Sequence, residues 1–263
     1  MRAKELFTIE GRNDGGLEYE SAVLNAMSAA QVPGLEWQAD TSAGYSSHGE
    51  GDIEATYNGN KFNIEVKASI NDQMGGGSVA FDGNNWRPSA KLQAGTEPDD
   101  LALILKAAEA AEPALAAYLQ ELNTKDPQEF HAQNKGIPFV AEVNAREDLK
   151  ASGHHKALNQ IVTLDQRYIV GLYNKKNVFY IQVGGAGLFA LGSDPLGLGV
   201  PAFEGSVNVE MRIGFAGTKV KIPGRDDTTA RRAEYRCIAR MKTKSKSPFT
   251  LDDPESIRTL FDQ

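Results

Sequence analysis

Asp52-Ile-Glu-Ala-Thr-Tyr-Asn-Gly-Asn-Lys-Phe-Asn-Ile-Glu-Val-Lys67 is the stretch whose reading decides the fold. Asn58-Gly59 lies between two runs of strand-forming residues, and this dipeptide is the strongest local signal of a two-residue hairpin, whose central positions both need φ > 0. Such a loop makes Tyr57 face Asn60, Ala55 face Phe62, Ile53 face Ile64 and, one step further, Asp52 face Glu65. The strand period of two then sends Phe62, Ile64, Val66 and Ala68 to one side and Asn63, Glu65 and Lys67 to the other. The first side goes to a core; the second carries charge. Directly opposed side chains have Cβ atoms roughly 4.5–5.5 Å apart, where like charges repel. Lys67 neutralises part of the excess, and a divalent cation held by hard carboxylate oxygens would neutralise more. A three-residue loop would shift the pairing by one and turn Asp52 to the other face.

Upstream, Asp14 to about Ala30 reads as a helix with Asp14 as its N-cap. At 100° per residue Leu17, Tyr19, Val23, Leu24 and Met27 share one arc, and Glu20 falls inside it, while Glu18 projects with Asn25 on the polar side. A carboxylate on an inward face needs a cationic or metal partner, because burying an unpaired charge is expensive. Leu35–Asp40 suits a first strand. The loop from Thr41 to Gly51 adds His48 and Glu50 near Asp52.

An acidic residue opening one strand (Asp52), a short hairpin, and Glu65-Val66-Lys67 in the next strand, behind a helix that bears a glutamate, together resemble the PD-(D/E)XK nuclease superfamily, the fold of many type II restriction enzymes, resolvases and repair nucleases. Gly51 stands where that family's proline precedes the first Asp. The resemblance covers about the first quarter of the chain. It implies an α/β fold: a restriction-endonuclease-like core with a mixed central β-sheet flanked by helices. It further implies that Asp52 and Glu65 bind Mg²⁺ (or Mn²⁺), that Glu20 reaches the metal site directly or through water, and that Lys67 positions or activates the attacking water or neutralises the phosphate.

At 263 residues, 41% hydrophobic and 24% charged, the chain has material for one large domain or two small ones. The single cysteine, Cys237, excludes an internal disulfide and is expected as a small buried hydrophobe. No leader pattern opens the chain and no apolar run reaches the ~18 residues of a membrane span, so a soluble, cytoplasmic protein is expected. The net charge of −7 is unevenly spread: Lys219 to Lys246 holds ten basic residues against three acids, a local +7 that leaves −14 elsewhere. Such asymmetry points to a polyanion partner. Within it Arg231, Arg232, Arg236, Arg240 and Lys242 are the candidates for nucleic-acid contact.

The rest of the chain supplies elements. Gly75-Gly-Gly77 reads as a loop free to approach a phosphate backbone closely, with Gln73 and Ser78 as candidates to line the metal-facing surface. Asp99–Leu122 is helical, with Pro113 kinking or splitting it. Ile137–Val143 reads as a strand and Lys150–Gln166 as a helix, on which adjacent His154 and His155 point about 100° apart, too far to share a metal. Arg167–Val183 reads as a second hairpin about Asn174–Asn177, Gly184–Gly199 as a glycine-rich connector, Val207–Val220 and Glu234–Met241 as antiparallel strands, and Pro254–Phe261 as a closing helix. The expected division is a catalytic core over 1–200 with a helical insertion, and an added basic antiparallel β region over 201–263. The expected activity is Mg²⁺-dependent endonucleolytic hydrolysis of double-stranded DNA, type II restriction-like, with a two-fold homodimer where cutting is symmetric. The alternatives are a homing, repair or structure-specific nuclease of the same fold, and a nucleic-acid-binding protein without catalysis.

Overall fold

In the computed structural model of the chain, Asn58 and Gly59 both take the left-handed conformation their turn needs, with φ of 49° and 82°. The strands they join, β2 (Ile53–Tyr57) and β3 (Asn60–Lys67), pair as Tyr57 with Asn60, Ala55 with Phe62 and Ile53 with Ile64. The structure describes residues 14–39, 51–81, 85–125, 140–141, 158–219, 229–242 and 245–262. The chain is α/β, with one mixed sheet and one antiparallel sheet, each with its own helices.

The chain divides into two interleaved units. The first comprises Met1–Asp72, Lys176–Phe203 and Ser245–Gln263, the second Gln73–Lys175 and Glu204–Lys244. A boundary at 200/201 is therefore not where the contacts separate the chain: each unit is assembled from sequence-distant segments.

The first unit is built on a five-stranded sheet in the order β1 (Leu35–Ala39), β2, β3, β8 (Val178–Val183), β9 (Gly187–Ala190). Neighbours are antiparallel except β3 and β8, which run parallel. Parallel strands in a central position are covered on both faces, and β3 is buried on both: Phe62, Ile64 and Val66 on one side, Asn63 and Glu65 on the other. Helix α1 (Asp14–Ala30) lays Val23, Ala26, Met27 and Ala30 on the first of these faces, while Leu17, at the edge of the expected arc and in the first turn, is exposed. Helix α5 (Pro254–Phe261) starts with Asp253 accepting the N–H of Glu255 (3.1 Å) and Pro254 at the position where no donor is missed. Its Ile257, Leu260 and Phe261 join the same core, and its Arg258 donates to the terminal carbonyls of α1 at Ala29 and Ala30 (3.1 Å each), which have no partner within their own helix.

The second unit carries the sheet order β5 (Trp86–Pro88), β4 (Gly75–Phe81), β11 (Thr229–Lys242), β10 (Ser206–Lys219), β7 (Gln160–Asp165), with β6 (Val140–Ala141) also on β11. Helices α2 (Ala90–Gly95), α3 (Pro98–Lys125) and α4 (Arg167–Asn174) belong to it. The antiparallel pairing of β10 with β11 runs through fourteen residues on each strand, as the alternation implied.

Several expectations are corrected. Tyr168–Tyr173 is helix α4, not a strand: Tyr168, Ile169, Leu172 and Tyr173 are buried at helical spacing, and short apolar runs do not distinguish the two periods. Gly75–Gly77 is the start of strand β4, not a phosphate-facing loop. A Cβ on Gly76 would lie 2.1 Å from the Cys237 carbonyl oxygen and one on Gly75 2.2 Å from Leu172, so the close approach is to the protein itself. Gln160–Asp165 is strand β7 where a helix was expected, and α3 continues through Pro113. Gly187–Ala190 makes a strand within the glycine-rich connector. His48, Glu50, His154 and His155 lie outside the described residues.

One fully buried polar side chain ties the first unit together. Gln182 of β8 donates to the Tyr19 hydroxyl (2.8 Å) and to Thr250 Oγ1 (2.9 Å), and its carbonyl accepts the N–H of Leu251 (2.9 Å). Tyr19 and Thr250 both donate onward to Asp252 (2.6 and 2.5 Å). Gln182→Leu leaves these groups in place without their shared partner, and is expected to cost about 2–4 kcal/mol, read as a lower urea midpoint at unchanged m-value.

Candidate metal and phosphate site

Strand β3 presents Asn63, Glu65 and Lys67 on one face, and the site grows from that alternation. Lys67 Nζ lies 2.6 Å from Glu65 Oε1, an ion pair largely withdrawn from solvent, with side-chain exposures of 17% and 9%. At the entrance to β2, Asp52 Oδ2 accepts the N–H of Val66 at 2.8 Å. Because the β2 ladder begins at Ile53, the carboxylate takes a backbone donor that lies past the strand end. Gly51 makes this approach feasible: a Cβ there would stand 2.8 Å from the Ile64 carbonyl oxygen and 3.1 Å from Val178. Glu20 comes in from α1 and lies within the field of Asp52, Lys67 and Glu65. Asp52, Glu65 and Lys67 thus stand at the paired ends of β2 and β3, and Glu20 is linked to them through the field of their charges.

Their electrostatics follow from three carboxylates and one ammonium in a poorly solvated place. Burial, then the nearby Asp52 carboxylate, pushes Glu20 up to about 7, with Lys67 opposing. Burial and the neighbouring Glu65 push Asp52 up to about 6, against the pull of Lys67 and the Val66 hydrogen bond. For Lys67 burial acts downward, yet the carboxylates of Glu65 and Asp52 outweigh it and the ammonium holds its proton more tightly than an ordinary lysine. Lys67 therefore stands here as a fixed cation; a depressed lysine pKa, which a general base at neutral pH requires, is not what these surroundings produce.

The donor set fits a hard divalent cation in kind: carboxylate oxygens, excess negative charge, and one ammonium that neutralises only part of it. Among the described residues no three His, Cys, Asp or Glu side chains are grouped so as to hold a metal ion by themselves. Mg²⁺ is commonly held by one or two carboxylates with the remaining positions taken by water and substrate phosphate, so the test of fit falls on Asp52 and Glu65. Asn63, 4% exposed and on the same face as Glu65, has an Oδ1 without a hydrogen-bond partner among the described residues.

The remaining candidates sit in the second unit. Ser78 pairs across strands with Arg236 and its side chain hydrogen-bonds the Glu234 carboxylate; Gln73 is exposed at the head of β4. On β11, Arg236 and Lys242 are exposed, while Arg240 is half-buried against Glu210 (3.3 Å). Arg231 and Arg232 lie in β11, paired with Gly217 and Ala216 of β10, and their side chains are outside the described ones. Cys237 is buried, and burial pushes its thiol up to about 12, so it is an inert packing group as expected. Sequence reasoning missed Tyr19 and Gln182; the available signal was Gln182 itself, a lone polar residue within the apolar run Val178–Val183, which burial obliges to find partners. No family model, curated protein or solved structure matches the chain. Among the described residues no helix is long and apolar enough to cross a membrane.

Asp52 and Glu20 bind protons more tightly in the folded chain than in the unfolded one, where carboxyls titrate near about 4. Ionising them as pH rises from about 4 toward 6 and 7 therefore removes stability from the metal-free protein. Asp52→Asn retains an acceptor for Val66 and lacks the charge. In EDTA it is expected to match wild type near pH 4 and to exceed it at pH 8 by on the order of 1–3 kcal/mol; urea midpoints at the two pH values measure this, and an advantage that does not grow with pH contradicts the repulsion.

Proposed function

We propose that this chain is a Mg²⁺-dependent endonuclease of the restriction-endonuclease-like kind, hydrolysing phosphodiester bonds of double-stranded DNA. The observation that carries the reading is the convergence of Asp52, Glu65, Lys67 and Glu20, from a strand entrance, the next strand and the preceding helix, on one region with surplus negative charge. The mixed sheet with a parallel β3–β8 pair behind the hairpin supports it as well.

Hydrolysis adds water to phosphorus while a P–O ester bond breaks, so negative charge grows on the phosphoryl oxygens and the water must lose a proton. Asp52 and Glu65 would hold the ion, which when bound supplies charge neutralisation and a more acidic water. Lys67, kept protonated by its two carboxylate neighbours, orients the water or faces the phosphate as a fixed positive charge. Glu20, half-buried beside these groups and raised to about 7 in the metal-free protein, would be the carboxylate to take the water's proton.

Supercoiled plasmid or phage DNA incubated with the protein and Mg²⁺ is the direct test. Nicking or linearisation is expected, abolished by EDTA and by Asp52→Ala, reduced at least about 10²-fold by Glu20→Gln, and partly kept by Lys67→Arg compared with Lys67→Ala. Discrete bands identify site-specific cutting, and a smear or a preference for branched substrates identifies a repair or structure-specific enzyme. DNA that stays intact with every divalent cation tried would overturn the assignment.

A further inference from the structure

The strand registers of the second unit sort its charge in a way that composition alone does not show. Taking Arg236 as origin, strand parity and cross-strand pairing put Arg240 and Lys242 of β11, Arg212 of β10 and Arg87 of β5 on one face of the sheet with it. Arg212 is directly opposite Arg236, and Arg87 is opposite Ala80, which in turn faces Glu234. Acids placed on this face are Glu210, Glu234 and Asp165, so among the described side chains five cations stand against three acids in a protein of net charge −7. Glu210 accepts from Arg212 (2.7 Å) and from Arg240 (3.3 Å), which holds two guanidinium groups in place without cancelling both. Arg87, Arg212, Arg236 and Lys242 are exposed.

The helices of this unit cover the opposite face. Gly77 and Gly75, of the other parity, meet Leu92 of α2 and Leu172 of α4, and Val79, Met211, Tyr235 and Cys237 are buried there. On the basic face β4 contributes only Gly76, Ser78 and Ala80, so nothing bulky stands between Arg87 and Arg236. Along β11 Arg236 and Arg240 are about 13 Å apart and Arg240 and Lys242 about 7 Å, while Arg212 stands about 5 Å across from Arg236, a spread suited to a charged polymer and too wide for one small anion.

We propose that this face is a docking surface for the sugar-phosphate backbone of duplex DNA, with Arg212 and Arg236 at its centre and Arg87 and Lys242 toward its margins. The choice of duplex over single strand comes from composition: no aromatic side chain lies on this face among the described residues, and single-strand binders rely on aromatic platforms for stacking bases. The proposal deepens the function above and rests on it for the class of partner.

The test uses the full-length Asp52→Asn protein in EDTA, a labelled DNA duplex, and fluorescence anisotropy across a KCl series. Arg212→Ala with Arg236→Ala is expected to weaken binding about tenfold and to flatten the slope of log Kd against log[KCl] by about 1.8, or about 0.9 for each phosphate that is no longer neutralised. Arg212→Lys with Arg236→Lys keeps the charges and is expected to keep the slope, which separates the removal of a charge from a failure to fold. Neutralising Lys91 and Lys106, exposed on α2 and α3, is expected to leave the slope unchanged. An unchanged slope in the double alanine variant, an equal loss from the Lys91 and Lys106 changes, tighter binding to a single strand, or binding to phosphatidylserine vesicles in place of duplex each overturns the proposal. If wild type cuts DNA while the double alanine variant binds like its parent, this surface fails and the nuclease stands. If duplex binding depends on the face while wild type never cuts, the nuclease fails and the surface stands.

Discussion

A two-residue reversal with both central residues at positive φ joins its strands in a single register, and that register puts Asp52 beside the carboxyl end of β3. One residue more in the turn would send Glu65 and Lys67 to the α1 side and Phe62, Ile64 and Val66 away from their core. The apolar half of the alternation therefore enforces the charged half: the hydrophobic contacts of Phe62 and Ile64 under α1 hold Glu65 and Lys67 on the opposite face. Gly51 adds a second constraint, since a side chain there would collide with the Ile64 carbonyl and move Asp52 off Val66.

The cost of this arrangement is electrostatic. Two carboxyls with raised pKa values and a lysine that cannot easily release its proton are what results when acids are confined together and only partly neutralised. A surface cluster would relax into solvent; here the burial of β3 in the middle of its sheet prevents that. Perturbed groups of this sort cluster at functional sites, and structural ion-pair networks perturb pKa values as well. The Gln182 network beside it differs in kind, because its donors and acceptors are satisfied within the protein. It fixes Tyr19, the residue before Glu20, and so bears on how α1 presents its glutamate.

The hairpin, its register and the inward position of Glu20 were legible because each depends on local geometry: a dipeptide that favours one turn, a period of two, a period of 3.6. The basic segment was legible as charge but not as a surface. Arg87 and Arg212 belong to the basic face only through pairing with strands far away in the chain. Tyr168–Tyr173 was misread because six apolar residues suit either period, and only tertiary packing selects the helix. Gly75–Gly77 was recognised as a place of close approach, but which group approaches is a long-range fact: the Cys237 carbonyl comes from more than 150 residues away.

The division of the chain has a topological origin. Two parallel neighbours cannot be joined by a tight turn; the chain has to leave the end of the first strand and return to the start of the second. Between Lys67 of β3 and Val178 of β8 it does so through most of the second unit, including β4, β5 and helices α2 to α4. It leaves again after Phe203 to add β10 and β11, then comes back to finish the first unit with α5. The register of β2 and β3 is closed by their own two-residue turn and does not depend on where the chain goes next.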